Sequence, residues 1–461
     1  MMRKIVRVYL PVMLLVIGIT GIVRAWISNE SFTTALWSAT LWVSAITVFL
    51  LLVFATPLIV LQRFWHRKKK KLDLQSDQKA KAIDRFMRNT PAVLGAIAIL
   101  YAVVVAVSAY LIIPDGSPFA GDQINELAYK APGFHIDVLQ VPVELQPRQP
   151  GLIGRLLHGK PSAWHSIPIT DYSFAGDSIY IVRYIGEGIQ GMQLQYALTA
   201  ITQQSLPREQ QIAEIENHHL QHRTFLLGTD DLGRDFLSRI ILGTRVSLSV
   251  GLVAVLIALF IGIPLGAFAG FYKRYPPRIA ITRKKQWRIP VDNAIMWFIN
   301  IIWSIPTLLL VFPVVFAFGQ QFYTIFIAVG LTMWVDIARM VRGQVMQVRE
   351  MEFVQATQTF GFSDSRAIWK HILPNITGPV IVITAANFAY AILTEAGLSF
   401  LGIGVQPPAP SWGLMIAKYK DNLITNPYLA LIPGFAITFL VLAFFMVGNG
   451  LRDALDIKSR L

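Results

Sequence analysis

The stretch REMEFVQATQTFGFSDSRAIWKHILPN, residues 349–375, decides how the rest of the chain is read, because it is polar and helix-prone yet lies between two long apolar runs. Phe353, Ala356, Thr357 and Phe360 fall at i, i+3, i+4 and i+7, which predicts a helix over 351–360 with one mostly apolar face and a polar back. Gly361 breaks it. Ser363 and Asp364 can cap a second short helix whose end is set by Pro374. By spacing alone, an ordinary amphipathic loop between helices reads the same way.

Outward from this stretch the chain is apolar. Of 461 residues 54% are hydrophobic and 15% charged, and the mean hydropathy is +0.51. Soluble globular chains run nearer about 45–50% apolar and about 25% charged, so the composition predicts an all-α, polytopic membrane protein. The net charge of +14 does not point to nucleic acid: Lys and Arg sit in short runs beside apolar segments, the pattern of cytoplasmic loops. With no cysteine, disulfides, thiolate metal sites and Cys nucleophiles are excluded.

Eight spans are expected, each supplying roughly the 20 apolar residues a bilayer requires. Two form an N-terminal hairpin over 1–71, which ends in the basic run 63–71 and keeps the N-terminus in the cytoplasm. A linker and a third span occupy 72–114. Residues 115–224 change to soluble composition, with strand-like alternation at 134–141 and 178–184, and predict a non-cytoplasmic mixed α/β insertion. The remaining spans fall at 246–271, 293–318, 322–338, 377–400 and 428–448, within a region 225–461 whose C-terminus is cytoplasmic. Pro306 is expected to kink the fifth. Thr229 or Asp230 is expected to cap a helix lying flat on the outer surface, with Leu232, Phe236, Leu237 and Ile240 as its apolar side.

The spacing of 349–375 resembles the "EAA" coupling loop of ABC-importer permeases, in the oligopeptide/dipeptide branch. There, Glu-Ala-Ala, three residues, Gly and nine more precede Ile-x-Leu-Pro. Here Gln355, Ala356 and Thr357 take the first three places, Gly361 the glycine, and His371, Ile372, Leu373 and Pro374 the end. Gln355 replaces the acid and Thr357 the second alanine, which removes one ion pair to a partner without altering the helix-turn-helix shape. The segments 227–248, 395–404, 405–413 and 449–456 are similar to further parts of that family. The resemblance implies a six-helix permease core, residues 1–71 and 115–223 being extensions. It also implies a non-catalytic subunit of the bacterial inner membrane, working with a second permease subunit, two cytoplasmic ATPases that bind ATP and Mg, and an external substrate-binding protein. Peptides are the implied substrate, with nickel, a peptide antibiotic or a glycoside as alternatives. A membrane-anchored sensor or an ion-coupled transporter is a reading of another class; the first lacks a cytoplasmic output domain and the second leaves the coupling pattern unexplained.

Candidate residues follow. Phe353, Gln355, Ala356, Thr357, Phe360, Gly361 and Pro374 carry the contact with an ATPase. Glu395, an acid within or at the edge of a span, calls for a partner, and Arg234, Arg239 and Arg245 are the candidates, as a gate latch, a substrate contact or a structural ion pair. Asn300, Ser304, Thr307, Thr332 and Asn387 are polar groups within spans that can line a pathway or bond between helices. The run 154–160 nearly spells a phosphate loop, but Pro161 stands where a Mg-binding hydroxyl is needed. His218 and His222, four apart on an expected helix near Glu214, lack a third convincing ligand, so no metal site is expected.

Overall fold

The computed structural model describes residues 78–455 apart from 144–146, 148–149, 205, 274–277, 283–284, 289 and 320. The N-terminal hairpin and the basic run 63–71 lie outside the described residues. Two compact units divide the chain, 1–98 and 99–461. Helices α1 (Gln78–Arg88) and α2 (Thr90–Ile112) open the described part, and Asn89 caps α2 by accepting from the Ala92 amide at 3.2 Å.

A five-stranded antiparallel sheet follows, ordered β4-β3-β2-β1-β5. Its strands are β1 (Phe134–Pro142), β2 (Trp164–Ala175), β3 (Ser178–Arg183), β4 (Met192–Ala197) and β5 (Leu220–Phe225), with helix α3 (Leu152–His158) between the first two. Alternation along β1 sends Leu139 to one face, with Ile167, Ile169, Ile179 and Ile181, where α4 (Leu198–Thr202), α5 (Arg208–Glu214) and the π turn after it close the core through Leu198, Ile201, Ile212 and Ile215. Ile136 and Val138 go to the other face, with Ile124, Leu127 and Phe225.

The apolar core that follows is helical: α6 (Phe236–Tyr272), a hairpin of β6 (Arg278–Thr282) and β7 (Lys285–Arg288), α7 (Val291–Trp303), α8 (Thr307–Phe318), α9 (Phe322–Val348), α10 (Glu352–Thr359), α11 (Asp364–Arg366), α12 (Thr377–Phe400), α13 (Trp412–Tyr419) and α14 (Tyr428–Leu455). Among the described residues five helices are long and apolar enough to cross a membrane, or six if the bent pair α7–α8 is one span. The expected kink at Pro306 is a 91° break: Ser304 and Ile305 leave the helix, and Pro306, which has no amide hydrogen to give, precedes α8. Among the described residues the expected flat outer helix is not a separate element: residues 236–246 are the start of α6. Asp235, not Thr229 or Asp230, caps α6 by accepting from the Ser238 amide at 2.8 Å, and α6 then runs unbroken for 37 residues because nothing between 236 and 246 interrupts its hydrogen bonds.

Helices α6 and α9 pack along a stripe that sequence periodicity did not single out. Gly262, Gly266 and Gly270 recur every four residues on α6, and a Cβ on each would stand 2.7, 2.4 and 2.8 Å from the carbonyl oxygens of Trp334, Ala338 and Arg342. Gly330 of α9 returns the contact, with Ala254 O at 2.9 Å from its notional Cβ. In lipid, apolar side chains gain little by leaving one another's surroundings, so helices associate where small residues let backbones meet. Gly266→Ala is therefore expected to destabilise by about 1–3 kcal/mol, the usual cost of overpacking. Gly434→Ala, where a Cβ meets nothing within 4 Å, leaves stability unchanged or improves it. Unfolding of the two variants in mixed micelles measures the contrast; equal effects would remove the close approach as a determinant.

Candidate coupling site

The segment 349–375 is anchored on one side and bare on the other. Arg349, at the end of α9 and 7% exposed, donates through Nη1 to the carbonyls of Gly270 at 2.5 Å and Phe271 at 3.2 Å. These belong to the last turn of α6, whose carbonyls have no partner within the helix. One guanidinium thus fixes the start of the segment to the end of the neighbouring helix. Sequence reasoning assigned Arg349 no role; its signal was a lone Arg one residue past the end of a long apolar helix.

Helix α10 covers the expected span nearly in full, and Thr357 Oγ1 turns back to Val354 O at 2.7 Å. Gly361 has φ +72°, a left-handed conformation that glycine adopts without strain, and it reverses the chain. Ser363 caps α11, and Arg366 lies over the Phe362 ring at 4.2 Å, itself stacked on His371. Pro374 does not end the second helix. The chain passes through a π turn (Ala367–Ile372) and a 3-10 turn (Leu373–Ile376), where a proline in the first turn loses no bond, straight into α12.

Val354, Ala367, Ile368, Ile372 and Ile376 are buried with α6 and α9. Thr357 is buried and Ala356 half-buried, whereas Phe353, Gln355 and Gly361 are exposed and Phe360 is 76% exposed. Met351 and Trp369, which periodicity did not select, add to the bare apolar surface. Near the same end of α9, Arg342 grips Asp292 of α7 through two hydrogen bonds of 2.6 and 2.8 Å.

Glu395 does not meet the arginines proposed for it. It is fully buried; its Oε1 accepts from Ser399 Oγ at 2.8 Å, and its Oε2 has no hydrogen-bond partner. Gly404 folds back so tightly over this pair that a Cβ there would fall 1.9 Å from Ser399 Oγ. The arginines are taken by nearer groups. Buried Asp230 receives Arg234 Nε at 2.7 Å and faces Arg239 Nε at 3.5 Å. Arg239 also donates to Phe119 O, and Arg245 donates to Leu156 O at 2.9 Å. Arg234, bonded to Asp230 and 3.7 Å from Asp231, and Arg239, facing Asp230, find their counter-charges in the same loop and not at Glu395. The neighbouring Asp231 accepts from Lys418 at 2.7 Å and from the Tyr419 hydroxyl at 2.7 Å. Partial burial alone would lift its carboxyl, but these hydrogen bonds outweigh it and hold Asp231 below the usual carboxylate range.

The polar residues within spans divide. Asn300, Ser304 and Thr307 lie exposed around the α7–α8 break, and Ser304 bonds back to Ile301 O. Thr332 and Asn387 are buried; Thr332 bonds to Val329 O, and Asn387 Nδ2 has no partner. His218 and His222 do not share a helix: His218 sits on a π turn and His222 on β5, paired with Asp137 at 2.8 Å. Among the described residues no group of three or more His, Asp or Glu is placed to hold a metal ion.

Comparison with known proteins gives these features a context. Residues 262–460 match the family described as binding-protein-dependent transport system inner membrane component. A glutathione transport system permease protein of Pectobacterium atrosepticum is 36% identical over 51% of this chain and 73% of its own length. A dipeptide transport system permease protein of Alkalihalophilus pseudofirmus and an oligopeptide transport system permease protein of Bacillus subtilis are each 39% identical, over 50% of this chain and 72% of their own.

The Asp231 network makes a pH prediction. Its folded-state carboxyl titrates below the unfolded value of about 3.9, so its contribution is intact at neutral pH and is lost as the pH falls through the folded-state pKa. Asp231→Asn should unfold at lower temperature than the parent at pH 7, with the gap narrowing below about pH 4. A gap that stays constant with pH would show that the charge of Asp231 is not what matters.

Proposed function

The chain belongs to the family of inner-membrane components of binding-protein-dependent transport systems, and on that premise we propose that it is the permease subunit of an ABC importer that carries peptides. Membership implies ATPase and substrate-binding partners. Peptides are the substrate class because the relatives are named for glutathione, dipeptides and oligopeptides. The finer picture is part of the proposal: eight spans with both termini cytoplasmic, a sheet domain outside the cytoplasm, a second permease completing a heterodimer, and two separate ATPases that bind ATP and Mg.

One observation carries the mechanism. The segment 349–375 is held to α6 and α9 by Arg349 and a buried apolar face, while Phe353, Phe360 and Trp369 stand bare on the other side. Such a helix lies in a groove on an ATPase as an amphipathic knob, its aromatic residues the anchors. ATP binding draws the ATPases together, and the segment passes that displacement to α9 directly and to α6 through Arg349. The helices then shift between outward-open and inward-open states. Asn300, Ser304 and Thr307, exposed at the α7–α8 break, are the pathway candidates this reading keeps. Thr332 and Asn387 are buried instead, and Thr332 bonds to Val329 O of its own helix. Glu395, with Ser399 and Gly404, holds the chain beyond α12 against that helix, a structural rather than a latching role.

Phe360→Asp should reduce uptake at least about tenfold, as loss of an aromatic anchor worth roughly 2 kcal/mol would. Gly361→Pro, which cannot adopt the φ of +72° found there, should do the same. In both, the subunit should insert normally and ATP hydrolysis should cease to respond to the loaded binding protein. Measured peptide uptake equal to the parent's in either variant would count against the mechanism.

A further inference from the structure

Helix α3 is short, amphipathic and bare. Leu152, Ile153, Leu156 and Leu157 occupy one arc of it, and Arg155 and His158 occupy the other. Leu152 and Ile153 are each 77% exposed, and Leu157 is exposed beside them. Three exposed large aliphatic side chains on seven residues are not accounted for by the sheet, whose two apolar clusters contain none of them.

The position of α3 says what covers this face. Arg245 Nη1 donates to Leu156 O at 2.9 Å, and the Arg245 guanidinium lies over the Tyr110 ring at 5.7 Å. At the end of α3, Gly159 is pressed so closely to Tyr110 that a Cβ would stand 2.7 Å from the ring, and Lys160 N donates to Gly116 O at 2.7 Å. Tyr110 lies two residues before the end of α2, and Arg245 immediately precedes the apolar run of α6. A Tyr near the end of one apolar helix and an Arg where the apolar run of another begins mark the depth at which the chain passes from hydrocarbon to head groups. Val104, Val107, Leu111 and Ile112 of α2 are exposed there too, an apolar flank that α3 extends at a right depth for the boundary.

We propose that α3 is an interfacial anchor. It lies in the head-group boundary of the leaflet on the sheet's side, Leu152, Ile153 and Leu157 entering the acyl region while Arg155, His158 and Lys160 remain among phosphates. The partner is phospholipid. The sheet domain is then held to the bilayer at a point outside the helical core, which fixes its tilt over the end of α6. This reading depends on the chain being a membrane protein and not on the substrate or on the coupling mechanism.

The chain has no cysteine, so single-cysteine variants carry spin labels at chosen places. Ile153→Cys is compared with Val104→Cys, exposed on α2 further from its end than Tyr110, as the hydrocarbon reference and Asp177→Cys, exposed in the turn between β2 and β3, as the aqueous one. Each full chain is placed in nanodiscs of phosphatidylethanolamine and phosphatidylglycerol. Collision with oxygen relative to a water-soluble nickel chelate should be several-fold higher at 153 than at 177 and nearer to that at 104. Leu157→Cys gives an independent second reading of the same face. A ratio at 153 and 157 equal to that at 177 would place the helix in water and overturn the proposal. Shielding of both positions from both reagents would show a protein cover and overturn it equally.

Discussion

The close contact between α6 and α9 underlies the rest of the structure. Three glycines at four-residue intervals let the backbone of one helix lie against the carbonyls of Trp334, Ala338 and Arg342 on the other, and Arg349 seals the far end by binding the last carbonyls of α6. In hydrocarbon, packing and hydrogen bonds are what hold helices together, and here both act on the same pair. The segment 349–375 emerges directly from that pair. Its buried residues, from Val354 to Ile376, belong to the same apolar cluster as Val341 and Val345. A push on its bare face therefore meets a stiff body rather than a loose connection.

On the other side of the bundle the fixing is electrostatic. Asp230 collects Arg234 and Arg239, and Asp231 collects Lys418 and Tyr419. Around them, Thr229 and Asp230 bond to the backbone at Lys130 and Tyr129, so the segment leading into β1, the start of α6 and α13 share one polar junction. Gly228 and Gly233 permit it: both have positive φ, and their neighbours at Lys130 and Ile124 leave no room for a Cβ. Charges buried this deeply need their partners at hand, which is why these arginines are committed to nearby aspartates and not to Glu395.

What could be read from the sequence, and what could not, follows from the range of the forces. Periodicity and caps act within a few residues, so α10, Ser363 and the strands at 134–142 and 178–183 were legible. Apolar length marked the helices α2, α6, α9, α12 and α14. Pairings set by tertiary contact were not. Arg234 and Arg239 chose Asp230 over Glu395, Arg245 chose the carbonyl of Leu156, Arg349 found the end of α6, and Pro306 gave a 91° break where a kink was expected. Pro374 misled for a local reason: in the first turn of a 3-10 segment its missing amide hydrogen costs nothing, so the helix continues past it. The separation of Asn300, Ser304 and Thr307 from Thr332 and Asn387 could come only from knowing which faces the helices bury.

The central claim is that the segment and the core helices move as one body under force from an ATPase. Its most direct test is the distance between spin labels at Thr359→Cys on α10 and Tyr323→Cys near the far end of α9, both exposed positions, in the assembled transporter with and without ATP. The account predicts one narrow distance distribution that does not change through the nucleotide cycle, and broadening once Arg349→Met removes the clamp. A distance that shifts with ATP in the parent protein would mean that the segment flexes on its own, contradicting the claim.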